Sequence, residues 1–354
     1  MIASIDIQVT KAAKSRLDEI DFDNLPFGKY ITDHMLEVDY KNGEWQQVRI
    51  RPYQPLSLAP SLAALHYGQA IFEGIKAYSD SEGNASIFRP FDNFNRFNVS
   101  AERMMMPAIP EEIFIEGMRR LVELDKSWIP RKHDHSLYIR PFMFATDEVI
   151  GVKASDSYKF MILLSPTGPY YAAPMRIYAE EKYTRAAPGG VGFAKAAGNY
   201  GSAMQVTAEA KSKGYDQVLW MDAFEHKWAQ EIGTMNVFFI IGNKAITPDL
   251  ESGTILAGVT RDSAIEVLKE LGYTVEERPV SIDEIIAAHK SGELKEMFGT
   301  GTAATVSMIR ELTYKDYTIA FDTSVWKAVP AVKRIMTDIR EGKIADTRGW
   351  MFRV

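Results

Sequence analysis

Lys195 lies in GGVGFAKAAGNYGSA, with Phe193 and Ala194 before it and Ala196 and Ala197 after it. Most lysines are solvated surface residues. One set among small, apolar neighbours is a candidate nucleophile toward an aldehyde, because the unprotonated amine is the reactive form. The surrounding glycines let backbone approach a flat ligand, and Tyr200, shortly after, can donate to a phenolate-like oxygen. Glu231, in AQEIGTMNVFFI, ends one strand and precedes a strongly apolar one. On an ordinary strand end it would face water. Buried, it could hold a ring nitrogen protonated and make that ring an electron sink. GTILAGVTRDS ends at a helix start, whose positive dipole end suits a phosphate. FGTGTAATVS places Gly299, Thr300, Gly301 and Thr302 in a loop whose backbone N–H groups can grip a phosphate or carboxylate. It lacks the lysine of a nucleoside-triphosphate loop. Arg96, in DNFNRF, can clamp a phosphate bidentately, though alone it reads as a surface helix residue.

These residues need elements to place them. KYITDHMLEVDYKNGEWQQVRIRPY contains two alternating runs around Lys41-Asn42-Gly43, a hairpin signal. IFEGIKAY and ASIFRP flank the turn SDSEGN in the same way. Asp92 is the expected cap of a helix through NFNRFNVSAERMMM that stops at Pro107. EEIFIEGMRRLVELDKSWI reads as a second amphipathic helix, ended by Pro130. SLYIRPFMFAT and KFMILLSPTG read as apolar strands. The Gly- and Pro-bearing stretch at 168–176 marks a boundary. Beyond it a helix is expected from near Asn199 to Gly214. QVLWMD and WAQEIG read as strands around AFEHK, and NVFFII and KAITP pair around Gly242-Asn243. Thr260 is the expected cap of the helix DSAIEVLKELG, which Gly272 stops. The mixture does not alternate strictly, so the fold class expected is α+β.

The chain has 354 residues, more than one core usually absorbs, so two domains are expected: a small one at 1–171, a linker at 172–182 and a larger one at 183–354. The net charge of −6, without a long basic run, argues against nucleic acid. No apolar run reaches the roughly 20 residues that span a bilayer. The N-terminal MIASIDIQVTKAAKSRLDEID resembles neither a secretory signal nor a transit peptide, so a cytoplasmic enzyme is expected. Cysteine is absent, which removes disulfides and thiolate chemistry. His133 and His135, beside Lys132 and Asp134, read as a polar turn, and no metal site is expected.

Taken in order, HYGQAIFEGIKAY, FRPFDNFNRF, SLYIRPFMFAT, GGVGFAKAAGNYGSA, QEIGTMNVFF, TILAGVTRDS and FGTGTAATVS resemble the fold type IV pyridoxal-phosphate enzymes. Among these they look most like the branched-chain amino acid aminotransferases. The class signature runs from Glu231 through Thr234, Asn236 and Phe238, past Thr247, to Leu256, Gly258, Val259 and Arg261. Ala245 departs from it slightly, where a larger apolar residue is usual. The resemblance implies a small N-terminal α/β domain and a larger domain built on a strand-rich pseudo-barrel flanked by helices.

It also implies roles. Lys195 would carry pyridoxal 5'-phosphate and shuttle a proton. Tyr200 would bind its phenolic oxygen and Glu231 its ring nitrogen. Arg96, Val259, Thr260 and Thr302 would hold its phosphate. Tyr67, with the backbone of Thr302 and Ala303, would take the substrate α-carboxylate. Phe27, Phe72, Tyr138, Tyr170 and Thr234 would line the side-chain pocket, and Val152 would reach it from the partner of a homodimer. Arg140 would meet the second carboxylate of glutamate, since an unpaired carboxylate against an apolar wall is costly. The partners implied are amino acids and 2-oxo acids, in a ping-pong cycle through pyridoxamine phosphate. A D-amino acid aminotransferase, an aminodeoxychorismate lyase and a catalytically silent cofactor-binding protein are the alternatives.

Overall fold

The computed structural model of the chain describes residues 5–171 and 173–354. The first residue of the expected linker and the first four of the chain lie outside the described residues. The chain forms two compact units. One takes the chain through Tyr170 together with Ala194–Gly198 and Asp338–Val354. The other takes Tyr171–Phe193 and Asn199–Thr337. Two segments thus depart from the division read from sequence. The stretch around Lys195 joins the first unit because Ile71 and Ala196 form an antiparallel bridge. The C-terminus joins it because Met351–Arg353 pairs with Ala85–Phe88.

The first unit is built on a sheet whose strands run, edge to edge, Ile7–Val9, Val48–Pro52, His34–Lys41, Tyr158–Thr167, Ser136–Ala145, Ile75–Ser79, Ala85–Phe88 and Met351–Arg353. Both expected hairpins are present: His34–Lys41 turns into Glu44–Trp45 through Asn42 and Gly43, and Ile75–Ser79 pairs with Ala85–Phe88. Alternation explains the burial, because successive side chains of a strand face opposite sides. The helix Pro90–Arg103 covers one face. Phe97 on it, Phe114 on the next helical turn and Phe160 on the central strand form a three-ring cluster with centroids 5.5–5.9 Å apart.

Helix boundaries differ from the sequence reading in instructive ways. Arg89, in the left-handed conformation with φ 47°, stands at the cap position, and Pro90 opens the helix. Proline needs no N–H acceptor there. Asp92 lies inside the first turn, paired with Arg89 at 2.9 Å. The helix stops at Arg103, before Pro107. The second expected helix is a composite of a π turn at Glu112–Glu116, an α-helix at Gly117–Leu124 and a 3-10 turn at Lys126–Trp128.

In the second unit, Met175–Ala179, Gln217–Met221, Ala229–Ile232, Met235–Ile241, Leu294–Gly301 and Thr305–Tyr314 pair in a closed ring, because Ala229–Ile232 bonds both Gln217–Met221 and Met235–Ile241. The expected pseudo-barrel is this six-strand ring. Closure depends on the Gly233 turn. Gly233 has φ 55°, and a Cβ there would fall 2.3 Å from the Gln217 side chain. The ring core includes Met175, Ile177, Leu219, Val237, Phe239 and Met297. The helix expected over 199–214 is divided into Gly198–Gly201 and Met204–Ser212. DSAIEVLKELG belongs to a helix that runs from Val259 to Glu270 and starts ahead of its expected cap, so Thr260 is a helical residue and Gly258 the cap. Gly299, Thr300 and Gly301 are strand, and the turn proper begins at Thr302. Antiparallel pairing dominates both units, in keeping with α+β.

Acidic groups on the first sheet are matched by cations. Glu37 contacts Arg51 at 2.8 Å, and Asp39 contacts Lys159 at 2.6 Å. Burial pushes the Glu37 carboxyl up, but the Arg51 hydrogen bond and the charges of Lys159, Arg51 and Arg49 bring it below its ordinary value. Burial likewise pushes Asp39 up, and Lys159 leads the contacts that leave it lowered. A folded value below the unfolded one contributes stability above the unfolded carboxylate range, lost as pH falls through the folded value. Acidification from about pH 6 to about pH 3 is therefore expected to lower the urea midpoint more in the wild-type protein than in Glu37→Gln. Equal losses would show that these carboxylates are not the acid-sensitive ones.

Candidate active site

In the first unit, Lys195 is tied down by its backbone. Its N–H donates to Ser100 Oγ at 2.9 Å, and its C=O accepts from Phe72 N–H at 3.1 Å. Ser100 and Arg96 stand four apart on the helix Pro90–Arg103, so they share a face. Arg96 is not a surface residue. Its Nε and Nη2 donate to Glu73 at 2.7 and 2.8 Å, and Glu73 is fully buried. Asn93 and the Gly74 N–H also donate to Glu73, at 2.8 and 3.0 Å. Burial pushes the Glu73 carboxyl up, and Arg96, Lys195 and Asn93 outweigh it, leaving it below its ordinary value.

The same unit assembles an aromatic wall. Tyr138 and Arg140 are two apart on Ser136–Ala145 and so share a face. Phe72 stands opposite Phe142 on the neighbouring strand, which places it beside them. The Arg140 guanidinium lies 4.5 Å from the Phe72 ring centroid, and its Nη2 donates to the Tyr138 hydroxyl at 2.9 Å. Lys195 Nζ lies 5.0 Å from the same Phe72 ring. Phe27 packs edge-on against Tyr138 at 4.8 Å and Tyr170 at 5.1 Å. Gly74 makes room, since a Cβ on it would fall 2.3 Å from the Tyr138 hydroxyl. Arg140 Nε is buried without a hydrogen-bond partner among the described residues, a donor suited to an incoming carboxylate. Phe27, Phe72, Tyr138, Arg140 and Tyr170 are thus brought together on the Lys195 side. Tyr67, at the end of Ala63–Tyr67, is 41% exposed, and Val152 is 89% exposed.

In the second unit, Glu231 is buried, which overturns the water-facing alternative. Register explains its partners. It stands opposite Asn236 across the Gly233 hairpin and accepts from Asn236 Nδ2 at 3.3 Å. It also accepts from the Leu256 N–H at 3.0 Å, and Arg185 Nε lies 3.0 Å away. Leu256 leads into the helix that starts at Val259, so Glu231 anchors the segment that presents that helix's positive end. Gly258 fits tightly at the start. A Cβ there would meet Asn236 Oδ1 at 2.0 Å. Val259 and Thr260 are buried in the first turn. Thr234 is exposed in the Gly233 turn, Thr302 and Ala303 lie in the half-buried turn between two ring strands, and Tyr200 lies in Gly198–Gly201. Thr300 Oγ1 is buried without a partner among the described residues.

An amino-transferase class IV family model matches residues 70–312. Branched-chain-amino-acid transaminase 1 of Bacillus subtilis (strain 168) is 49% identical over 340 residues, which is 94% of this chain and 95% of that protein. The probable branched-chain-amino-acid aminotransferase of Staphylococcus aureus (strain MRSA252) is 44% identical over 99% of this chain and 98% of that one. The chain belongs to the class IV aminotransferases, in their branched-chain amino acid group. Among solved structures, the branched-chain amino acid aminotransferase from Escherichia coli superposes with a TM-score of 0.71 at 25% identity, covering 89% of this chain and 98% of that one. The T.th. branched-chain amino acid aminotransferase complexed with N-(5'-phosphopyridoxyl)-L-glutamate gives a TM-score of 0.69 at 25% identity, covering 89% of this chain and 97% of that one.

For this aminotransferase, sequence reasoning missed Glu73, Asn93, Ser100 and Arg185 as residues around the site, and named Asn236 only within the class signature. Glu73 had a readable signal, a lone acid inside the apolar run IFEGIKAY. Arg185 had none, because its partner is remote in sequence. No group of three or more His, Cys, Asp or Glu residues suited to a metal occurs among the described residues.

The tight fit at Gly258 can be tested. Gly258→Ala is expected to push Asn236 away from Glu231 and lower stability by about 1–3 kcal/mol, read from a urea melt. An unchanged melt would show that the loop yields freely.

Proposed function

We propose that the chain transaminates L-leucine, L-isoleucine and L-valine with 2-oxoglutarate, giving branched-chain 2-oxo acids and L-glutamate in a ping-pong cycle. The observation that carries this reading is the wall of Phe27, Phe72, Tyr138 and Tyr170 with Arg140 set into it. An aliphatic side chain gains about 0.8 kcal/mol per methylene buried against such a wall. The second carboxylate of 2-oxoglutarate meets the Arg140 guanidinium instead.

The residues suit pyridoxal 5'-phosphate. They supply a primary amine at Lys195, a buried carboxylate at Glu231, a bidentate cation at Arg96 and the positive end of a helix at Val259. The glycine-tight start of that helix and the Thr300 hydroxyl, buried without a partner among the described residues, fit an anion as well. When bound, this cofactor supplies an aldehyde for the amino group and a ring that stabilises negative charge at Cα. Lys195 tethers it, then carries the proton removed from Cα. Glu231 keeps the ring nitrogen protonated, with Arg185 and Asn236 fixing its carboxylate. Tyr200 donates to the phenolic oxygen. Arg96, Val259, Thr260 and Thr302 take the phosphate. Tyr67, with the backbone of Thr302 and Ala303, takes the α-carboxylate, and Thr234 helps set side-chain selectivity.

The working enzyme on this reading is a cytoplasmic homodimer. The exposed apolar run Val149, Ile150 and Val152 supports a role for Val152 at a partner's substrate. No described helix is long and apolar enough to cross a membrane.

Assays of L-leucine and of D-alanine, each with 2-oxoglutarate, test the substrate. Turnover with D-alanine alone would overturn it. Lys195→Ala is expected to abolish turnover, and borohydride reduction of the wild-type enzyme followed by peptide mapping is expected to mark Lys195. Full turnover in the variant would refute the assignment. Arg140→Met is expected to raise the KM for 2-oxoglutarate by about 10- to 100-fold, the loss of a charged hydrogen bond, while the single-turnover rate with leucine changes little. Parallel losses with both substrates would assign Arg140 to the wall's structure alone.

A further inference from the structure

Residues 72–74 touch Lys195, Arg140, Tyr138 and Arg96 in turn. Phe72 lies under Lys195 and Arg140. Gly74 lies against the Tyr138 hydroxyl. Glu73, between them, is 0% exposed and takes the Nε and Nη2 hydrogens of Arg96 side by side. Its own N–H donates to Pro141 O at 2.8 Å, on the strand that carries Tyr138 and Arg140.

A carboxylate this deeply buried is costly to keep charged, and replacing a buried ion pair by apolar residues often leaves stability unchanged or higher. Core packing alone therefore gives no reason for the pair. Geometry does. A guanidinium has five N–H donors in a rigid plane. Fixing two of them on Glu73 fixes the direction of the remaining edge. A lysine, or an arginine without this anchor, would not be aimed. The anchor also balances the charge of the Arg96 guanidinium.

Resting on the proposed role of Arg96 at the cofactor phosphate, we propose that Glu73 is a positioning residue that aims the Arg96 guanidinium and balances its charge beside Lys195. Glu73 touches neither substrate nor cofactor in this role. Its removal should thus weaken the hold on the phosphate more than the hold on the ring.

The test compares two probes on dialysed full-length protein by fluorescence titration: pyridoxal 5'-phosphate, and pyridoxal, which lacks the phosphate. Glu73→Gln keeps the side-chain shape and removes the charge. It is expected to raise the Kd for pyridoxal 5'-phosphate by about tenfold, the equivalent of one misdirected hydrogen bond, and that for pyridoxal by less than about twofold. Glu73→Asp, which keeps the charge but draws it back by one methylene, is expected to fall between wild type and Glu73→Gln for the phosphate probe. Equal weakening of both probes, or no change in either, overturns the proposal in favour of a structural role. If Glu73→Gln does not fold, Glu73→Asp decides by the same ratio of the two constants. Wild-type protein that binds neither probe would overturn the cofactor reading itself, an outcome distinct from the variants matching a wild type that binds.

Discussion

The pairing of residues 70–72 with 195–197 is the constraint on which the first unit's chemistry depends. Phe72 N–H bonds Lys195 O, and Ala197 N–H bonds Ala70 O. Through these two bonds a short piece of chain, flanked on both sides by the other unit's sequence, becomes an added strand segment beside Ala70–Phe72. The pairing fixes which residue faces Phe72. Because strand side chains alternate, a slip of one position would turn Lys195 to the opposite side. Ser100 Oγ, bonded to the Lys195 N–H, prevents the slip from the helix side. The lysine is therefore placed by main-chain hydrogen bonds on both sides of its own Cα.

In each unit, one of the buried carboxylates is surrounded with similar chemistry. Glu73 has Arg96 and Asn93. Glu231 has Arg185 and Asn236. In both cases a backbone N–H adds a further bond, from Gly74 and Leu256. An isolated buried carboxylate would take up a proton and become neutral. Glu73, surrounded in this way, is held below its ordinary carboxylate value, with a fixed direction. The two carboxylates nonetheless serve different ends. Glu73 directs a cation, and Glu231 is itself the group proposed to face the cofactor. Both trios use a glycine for close approach, Gly74 under Tyr138 and Gly258 beside Asn236.

Much of this was legible in the sequence. The Asn42-Gly43 and Gly242-Asn243 turns predicted their hairpins because few residues tolerate positive φ there. Tyr138 and Arg140 were readable as neighbours from the period of two. The ring of six strands came only through the resemblance, since closure depends on Ala229–Ile232 bonding two partners at once, which no local pattern encodes. The Glu73–Arg96 and Glu231–Arg185 pairs were illegible for a similar reason. Their members meet through tertiary packing, and propensity is silent about which buried acid meets which base. The helix over 199–214 was overextended because its pattern ignored the break between Gly201 and Met204.

The two misplaced caps share one cause. Asp92 and Thr260 have side chains of the kind that commonly bond the first-turn N–H groups. In the structure both helices begin earlier, after Arg89 and Gly258, and neither start carries a side-chain cap bond. The helix Ile282–Lys290 shows the contrast. There Ser281 accepts from Glu284 N–H at 3.1 Å, and the helix has no role in the proposed site. A side-chain cap occupies the very donors that an anion would use. At a helix start meant for phosphate, a residue without a capping oxygen is the better choice, and Gly258 is one. The Pro90 helix also starts without a side-chain cap and has no ligand proposed there, so the phosphate role proposed at Val259 rests on the close backbone fit at Gly258 and not on the missing cap.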